Sequence, residues 1–142
     1  MNKNAKKSIL IIDAQGGGIG RQLISELKKA YPETELIAAG TNSQATAAML
    51  KAGADHGATG ENAIAVCAQR ADIIAGPIGI VIADSLYGEI SPRMAKSVGQ
   101  SRAVRVLIPM NHCDNIVVGV SDLNVGRLVQ EAVLRIGQEL EK

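Results

Sequence analysis

A three-layer α/β fold, with one mostly parallel sheet of five or six strands and helices on both faces, is predicted by three observations. Apolar runs of strand length, Ile9-Leu10-Ile11-Ile12 first among them, lack the alternation of a half-exposed strand. Stretches with apolar residues at three- and four-residue spacing lie between those runs. Glycine-rich and polar punctuation separates the two kinds of segment. Buried strands interleaved with amphipathic helices assemble as a sheet covered on both sides.

The elements follow in order. A first strand is expected over 8–13 and a first helix over 18–30, where Ile19, Leu23, Ile24 and Leu27 share a face. After the Tyr31-Pro32 break, Glu35-Leu36-Ile37-Ala38-Ala39 is a second strand. Asn42 is placed to cap a second helix carrying Ala45, Ala48, Met49 and Ala52, which Gly53 stops. A short third strand fits 54–59, and Thr59 or Gly60 starts a helix through Ile64, Cys67 and Ala68 to Ala71. Asp72-Ile73-Ile74-Ala75 is a buried strand ending at Gly76-Pro77-Ile78-Gly79. The apolar run 80–83 suits a subunit interface or a buried edge strand, and 84–90 is a loop. Ser91-Pro92 begins a helix, with serine as cap and proline at the first helical position. Val104–Pro109 and Ile116–Val120 are the remaining strands. Asp122 then caps a final helix whose Val125, Leu128, Val129, Ala132, Val133, Ile136 and Leu140 keep a 3.6-residue period.

Length and charge narrow the function. The 142 residues form one domain, 1–142, large enough to bury a core without staples. Fifteen basic and fourteen acidic residues leave a net charge of +1, which argues against nucleic acid and anionic membranes. Tyr31 and Tyr87 are the only aromatics, so no platform exists for stacking bases. No apolar run approaches the roughly 18 residues of a membrane span and no signal peptide precedes the first strand, so a cytoplasmic protein is expected. Cys67 and Cys113 lie far apart and read as small buried hydrophobes. No metal site is expected.

The strongest functional signal is the glycine loop between the first strand and the first helix: Gly16, Gly17, Gly18, Ile19 and Gly20, preceded by Asp13. Glycines let a chain turn tightly and let an anion approach the backbone, and a helix start offers free amides at the positive end of its dipole. In parallel sheets ligands bind beyond the carboxyl ends of the strands, near the switch in strand order. The polar segments 13–20, 40–43, 56–62, 76–79 and 109–114 fall there. Gly16-x-Gly18 departs from the dinucleotide fingerprint because Arg21 stands at its sixth position. The loop aligns better with short-chain dehydrogenases, whose T-G-x-x-x-G-I-G pattern it resembles in Gly18-Ile19-Gly20, with Asp13 and Ala14 in place of Thr and Gly. The dehydrogenase Tyr with Lys four residues later is missing: Ser91 follows Tyr87 at that spacing and Glu35 follows Tyr31. Gly40-Thr41-Asn42-Ser43 ends the second strand without the acid that holds a ribose in NAD enzymes, which disfavours a specific preference for NAD. Thr41 and Asn42 suit a ribose or phosphate, or the cap of the second helix.

Asp13 has two readings: a metal ligand or base, or an acceptor for the glycine-loop amides. His112-Cys113-Asp114, with Asn111 beside it, places polar groups at the ligand end, although adjacent residues diverge and rarely share a ligand. Glu61, Asn62, Asp84 and Glu89 have no partner legible in the sequence.

Together, Asp13-Ala-Gln-Gly-Gly-Gly-Ile-Gly20, Gly40-Thr41-Asn42, Ala58-Thr59-Gly60-Glu61-Asn62-Ala63, Gly76-Pro77-Ile78-Gly79 and Ile108-Pro109-Met110-Asn111 resemble a family of short bacterial, mostly clostridial, proteins of unknown function. The resemblance spans nearly the whole chain. It implies a stand-alone Rossmann-like protein and assigns no activity, substrate or catalytic residue.

The expected function is binding of a nucleotide or dinucleotide, NADP or another, with its phosphate at Gly16–Gly20 and with Thr41, Asn42, Gly76, Pro77 and Gly79 lining the pocket. Such a chain would be a small sensing or regulatory module and a homo-oligomer. One rival is an enzyme in the same cleft, with Asp13 as metal ligand or base and Asn111 or His112 assisting. The other is a structural or interaction protein with an empty glycine turn.

Overall fold

The computed structural model describes residues 6–110, 115–121 and 124–142. Its strands are β1 (Ile9–Asp13), β2 (Leu36–Gly40), β3 (His56–Thr59), β4 (Ile73–Pro77) and β5 (Val104–Ile108). All pair in parallel, in the order β3-β2-β1-β4-β5. The chain steps outward from β1 to β3, then returns to build β4 and β5 on the other side of β1. That reversal opens a crevice between the carboxyl ends of β1 and β4, where ligands of such sheets bind. The fold is Rossmann-like α/β.

The helices are α1 (Gly18–Ala30), α2 (Ser43–Lys51), α3 (Glu61–Arg70), α4 (Pro92–Gln100) and α5 (Val125–Leu140). α1, α2 and α5 cover one face of the sheet; α3 and α4 cover the other. The sandwich explains why β1 is apolar at every position before its tip. Ile9 and Ile11 enter the first core, with Leu23, Ile24, Leu27, Val129 and Ile136. Leu10 and Ile12 enter the second, with Ile64, Ala68, Met94 and Val98. All four β1 side chains are completely buried, and each contributes roughly 1.5–3 kcal/mol by leaving water.

Local chemistry sets the helix ends. The Asn42 side chain accepts from the amide of Ala45 and caps α2. Ser91 does the same for Met94 at the start of α4, with Pro92 at the first helical position.

Three expectations are corrected. The segment Ile116–Val120 is not a strand: the amide of Val120 bonds to the carbonyl of Val117, and Gly119 takes φ +92°. That is a tight turn with glycine at the position requiring positive φ, and it leaves Ile116 and Val118 each 94% exposed. The sheet therefore has five strands among the described residues. The run 80–83 is not an edge strand either. Residues Ile78–Val81 form a 3-10 turn that buries Ile80 in the second core. Finally, Asn124 caps α5 by accepting from Arg127, whereas Asp122 lies outside the described residues. β4 also runs two residues past Ala75, to Pro77. Gly76 permits this, because a Cβ there would collide with the carbonyl oxygen of Ile12.

Candidate functional site at the end of β1

β1 delivers Asp13 to the crevice, where its residue is only 5% exposed. Oδ1 accepts from the amide of Ala14 at 2.8 Å and Oδ2 from the amide of Gly20 at 2.7 Å. The carboxylate thus closes the glycine loop on itself and neutralises part of the positive helix end. Burial raises its pKa above 3.8, while the amides of Gly20, Ala14 and Ile19 pull it back and the nearby Glu89 adds to the rise. With both oxygens engaged, Asp13 acts here as a builder of the loop, which weighs against a metal ligand or base. No cluster of three or more metal-ligating side chains exists among the described residues.

The glycines divide into two kinds. Gly17 takes φ +74°, and a Cβ there would stand 2.9 Å from the carbonyl oxygen of Ala45 in α2. Gly20 packs against Asp13 and the Met49 side chain. These two are glycine because α1, α2 and β1 approach closely. Gly16 and Gly18 meet nothing within 4 Å where a Cβ would be. Packing does not require them to be glycine; they face a cleft.

That cleft measures about 190 Å³ and is lined by residues Asp13 to Ile19 together with Pro77, Leu86 and Met110. It unites Gly16, Gly17, Gly18, Ile19 and Pro77 of the expected site. Other expected residues stand apart. Gly76 is pressed against β1, and Gly79 lies beneath Ser85 and Leu86, with the Ser85 hydroxyl donating to its carbonyl. Asn111 and His112 fall outside the described residues. Arg21 lines a larger groove of about 530 Å³, between α1, α2 and the start of α5, away from the glycine cleft.

Thr41 and Asn42 do converge on the loop, through a residue that sequence reasoning left unpartnered. One carboxylate oxygen of Glu89, Oε1, accepts from the amide of Gln15 at 2.9 Å, the hydroxyl of Thr41 at 2.7 Å and the Asn42 amide group at 2.8 Å. Burial pushes the Glu89 carboxyl up, but the bonds from Gln15, Thr41 and Asn42 together outweigh it and hold the pKa below 4.5. Asn42 is fixed at the same time by donating to the carbonyl of Gln15 and accepting from Ala45. No sequence spacing could have shown this: Glu89 is 74 residues from Gln15 and 48 from Thr41.

Among solved structures, the chain is similar to a dodecameric FMN-dependent UbiX-like decarboxylase from Escherichia coli O157:H7. Identity is 20%, the match covers 91% of this chain and 76% of the other, and the TM-score is 0.47. No curated protein matches the sequence. No helix among the described residues is long and apolar enough to cross a membrane. Residues 8–141, which include every strand and helix described above, match the family described as Domain of unknown function (DUF3842), and the chain belongs to that family.

Proposed function

We propose that the chain binds a phosphate-containing nucleotide or dinucleotide, NADP or a related molecule, at the crevice between β1 and β4, as a small sensing or regulatory module. The observation that carries this reading is the open space over Gly16 and Gly18. Packing explains Gly17 and Gly20, but leaves two glycines whose bare backbone only a visitor to the cleft would exploit. The start of α1, one of whose amides, that of Gly20, is already taken by Asp13, offers an anion the rest of its polarity. A cleft of about 190 Å³ takes the phosphate end of such a ligand, with the rest of it lying across the strand ends. An enzyme using Asp13 as base or metal ligand gains no support from a carboxylate whose two oxygens already accept amides.

Thermal unfolding with NAD, NADP, ATP or GTP tests the reading. A ligand at 100 times its Kd should stabilise the fold by roughly 2.7 kcal/mol. Gly16→Val should abolish the shift while the protein stays folded, because its side chain enters the cleft and not the core. Absence of a shift with every nucleotide would favour the empty glycine turn.

A further inference from the structure

We infer that Glu89 occupies donors beside the open glycine cleft, and that the 82–90 loop must release it before an anionic ligand can use them. This rests on the reading of the glycine cleft as a phosphate site and adds its regulation.

The donors that hold Glu89 are an amide N–H, a hydroxyl and a carboxamide, all neutral and all aimed at a single oxygen. A phosphate oxygen would use the same set. No lysine or arginine pairs with Glu89 among the described residues. The carboxylate therefore fills a cradle suited to any anion. Charge makes occupation exclusive. Asp13 lies near enough for Glu89 to raise its pKa, so a phosphate arriving with Glu89 in place would face two carboxylates. Leu86, on the same loop, forms a wall of the cleft, so withdrawal of the loop both frees the donors and widens the opening.

The tip of the loop is strained. Asp84, Leu86 and Tyr87 take φ +65°, +55° and +57°, a left-handed conformation that costs any residue but glycine. Tyr87 is 97% exposed and holds nothing down. What retains the loop is the Glu89 cradle, the Ser85 bond to Gly79, the backbone bonds that join Asp84 and Ser85 to Ile90, and the burial of Leu86 and Ile90 in the second core. When a competent state is only fractionally populated, apparent affinity falls by that fraction. Removing Glu89 restores it.

Titration calorimetry with inorganic pyrophosphate and with NADP, on the wild type, Glu89→Ala and Glu89→Gln, tests the gate. Glu89→Ala should bind at least about tenfold tighter, and Glu89→Gln, which keeps the size and removes the charge, should also gain. In the wild type, saturating ligand should speed hydrogen exchange at Asp84 and Ile90, whose amides bond within the loop. Equal or weaker binding by both variants, or ligand-induced protection of those amides, overturns the gate and leaves the nucleotide reading standing. Binding by none of the three proteins overturns that reading and the gate with it.

Discussion

At the scale of single residues, the four glycines of the loop have different physical reasons to be glycine. Gly17 combines a left-handed backbone with a Cβ position 2.9 Å from the Ala45 carbonyl. Gly17→Ala should therefore destabilise the protein by about 1–3 kcal/mol, from left-handed strain and overpacking against α2. Gly16→Ala meets neither obstacle and should be neutral or slightly stabilising, since alanine narrows the unfolded ensemble. Urea unfolding of the two variants checks the pair, and equal costs would refute the division. Asp13 belongs to the same scale. A buried carboxylate would be costly alone, but two short amide bonds compensate it. The strongest apparent candidate for chemistry is thus consumed in shaping the loop that it precedes.

Between residue and fold, elements are tied by side chains that the local pattern does not advertise. Asp55, just before β3, accepts from the amide of Leu36 at 2.8 Å and from Lys28 at 2.7 Å, joining the start of β2 to α1. The Leu36 amide, then Lys28, holds the Asp55 carboxyl below 3.8. A carboxyl whose folded pKa is depressed contributes stability at pH above its unfolded value, and loses it as pH falls through the lower folded value. Asp55→Ala, which strands the Leu36 amide, should cost on the order of 1 kcal/mol at pH 7. The difference from wild type should shrink as acid unfolding curves are taken below pH 3.8. A difference constant with pH would assign the cost to packing. On the opposite face, Glu61 at the start of α3 accepts from Ser91 at 2.6 Å and pairs with Arg93, locking the N-termini of α3 and α4 together. These ties join the starts of β2, α3 and α4 to their neighbours.

Across the whole molecule, the β3-β2-β1-β4-β5 order puts the glycine loop and the 82–90 loop on either side of one crevice. The surface also carries Ile116 and Val118, each 94% exposed, in the turn that follows β5. If copies of the chain associate, as the sequence reading expects, these apolar side chains are the natural ones to cover. The double variant Ile116→Lys, Val118→Lys should leave monomer stability within about 0.5 kcal/mol and shift sedimentation toward monomer. A wild type that already sediments as monomer would dispose of the idea.

The architecture was legible because its signals are local. Continuous apolar runs mark strands buried on both faces, and the helical period of Ile19, Leu23, Ile24 and Leu27 marks one face of α1. Serine before proline at 91–92 and Asn42 before α2 mark helix starts by hydrogen bonds that reach only three residues. Ile116–Val120 misled because β-branched residues suit a strand, yet Gly119 closes a turn before any partner strand can be met. The site was half legible: the loop from Gly16 to Ile19 lines the cleft, and Thr41 and Asn42 stand beside the loop, bonded to Glu89 and, for Asn42, to the Gln15 carbonyl. By itself the sequence determined which segments are buried strands, which are helices, and that a glycine loop stands at the first turn. Only the tertiary structure decided which glycines face space, that Asp13 is spent on amides, and that Glu89 occupies the donors of Gln15, Thr41 and Asn42. The physical reason is range: propensity and capping act over a few residues, whereas packing clearance and charge meet between segments that folding alone brings together.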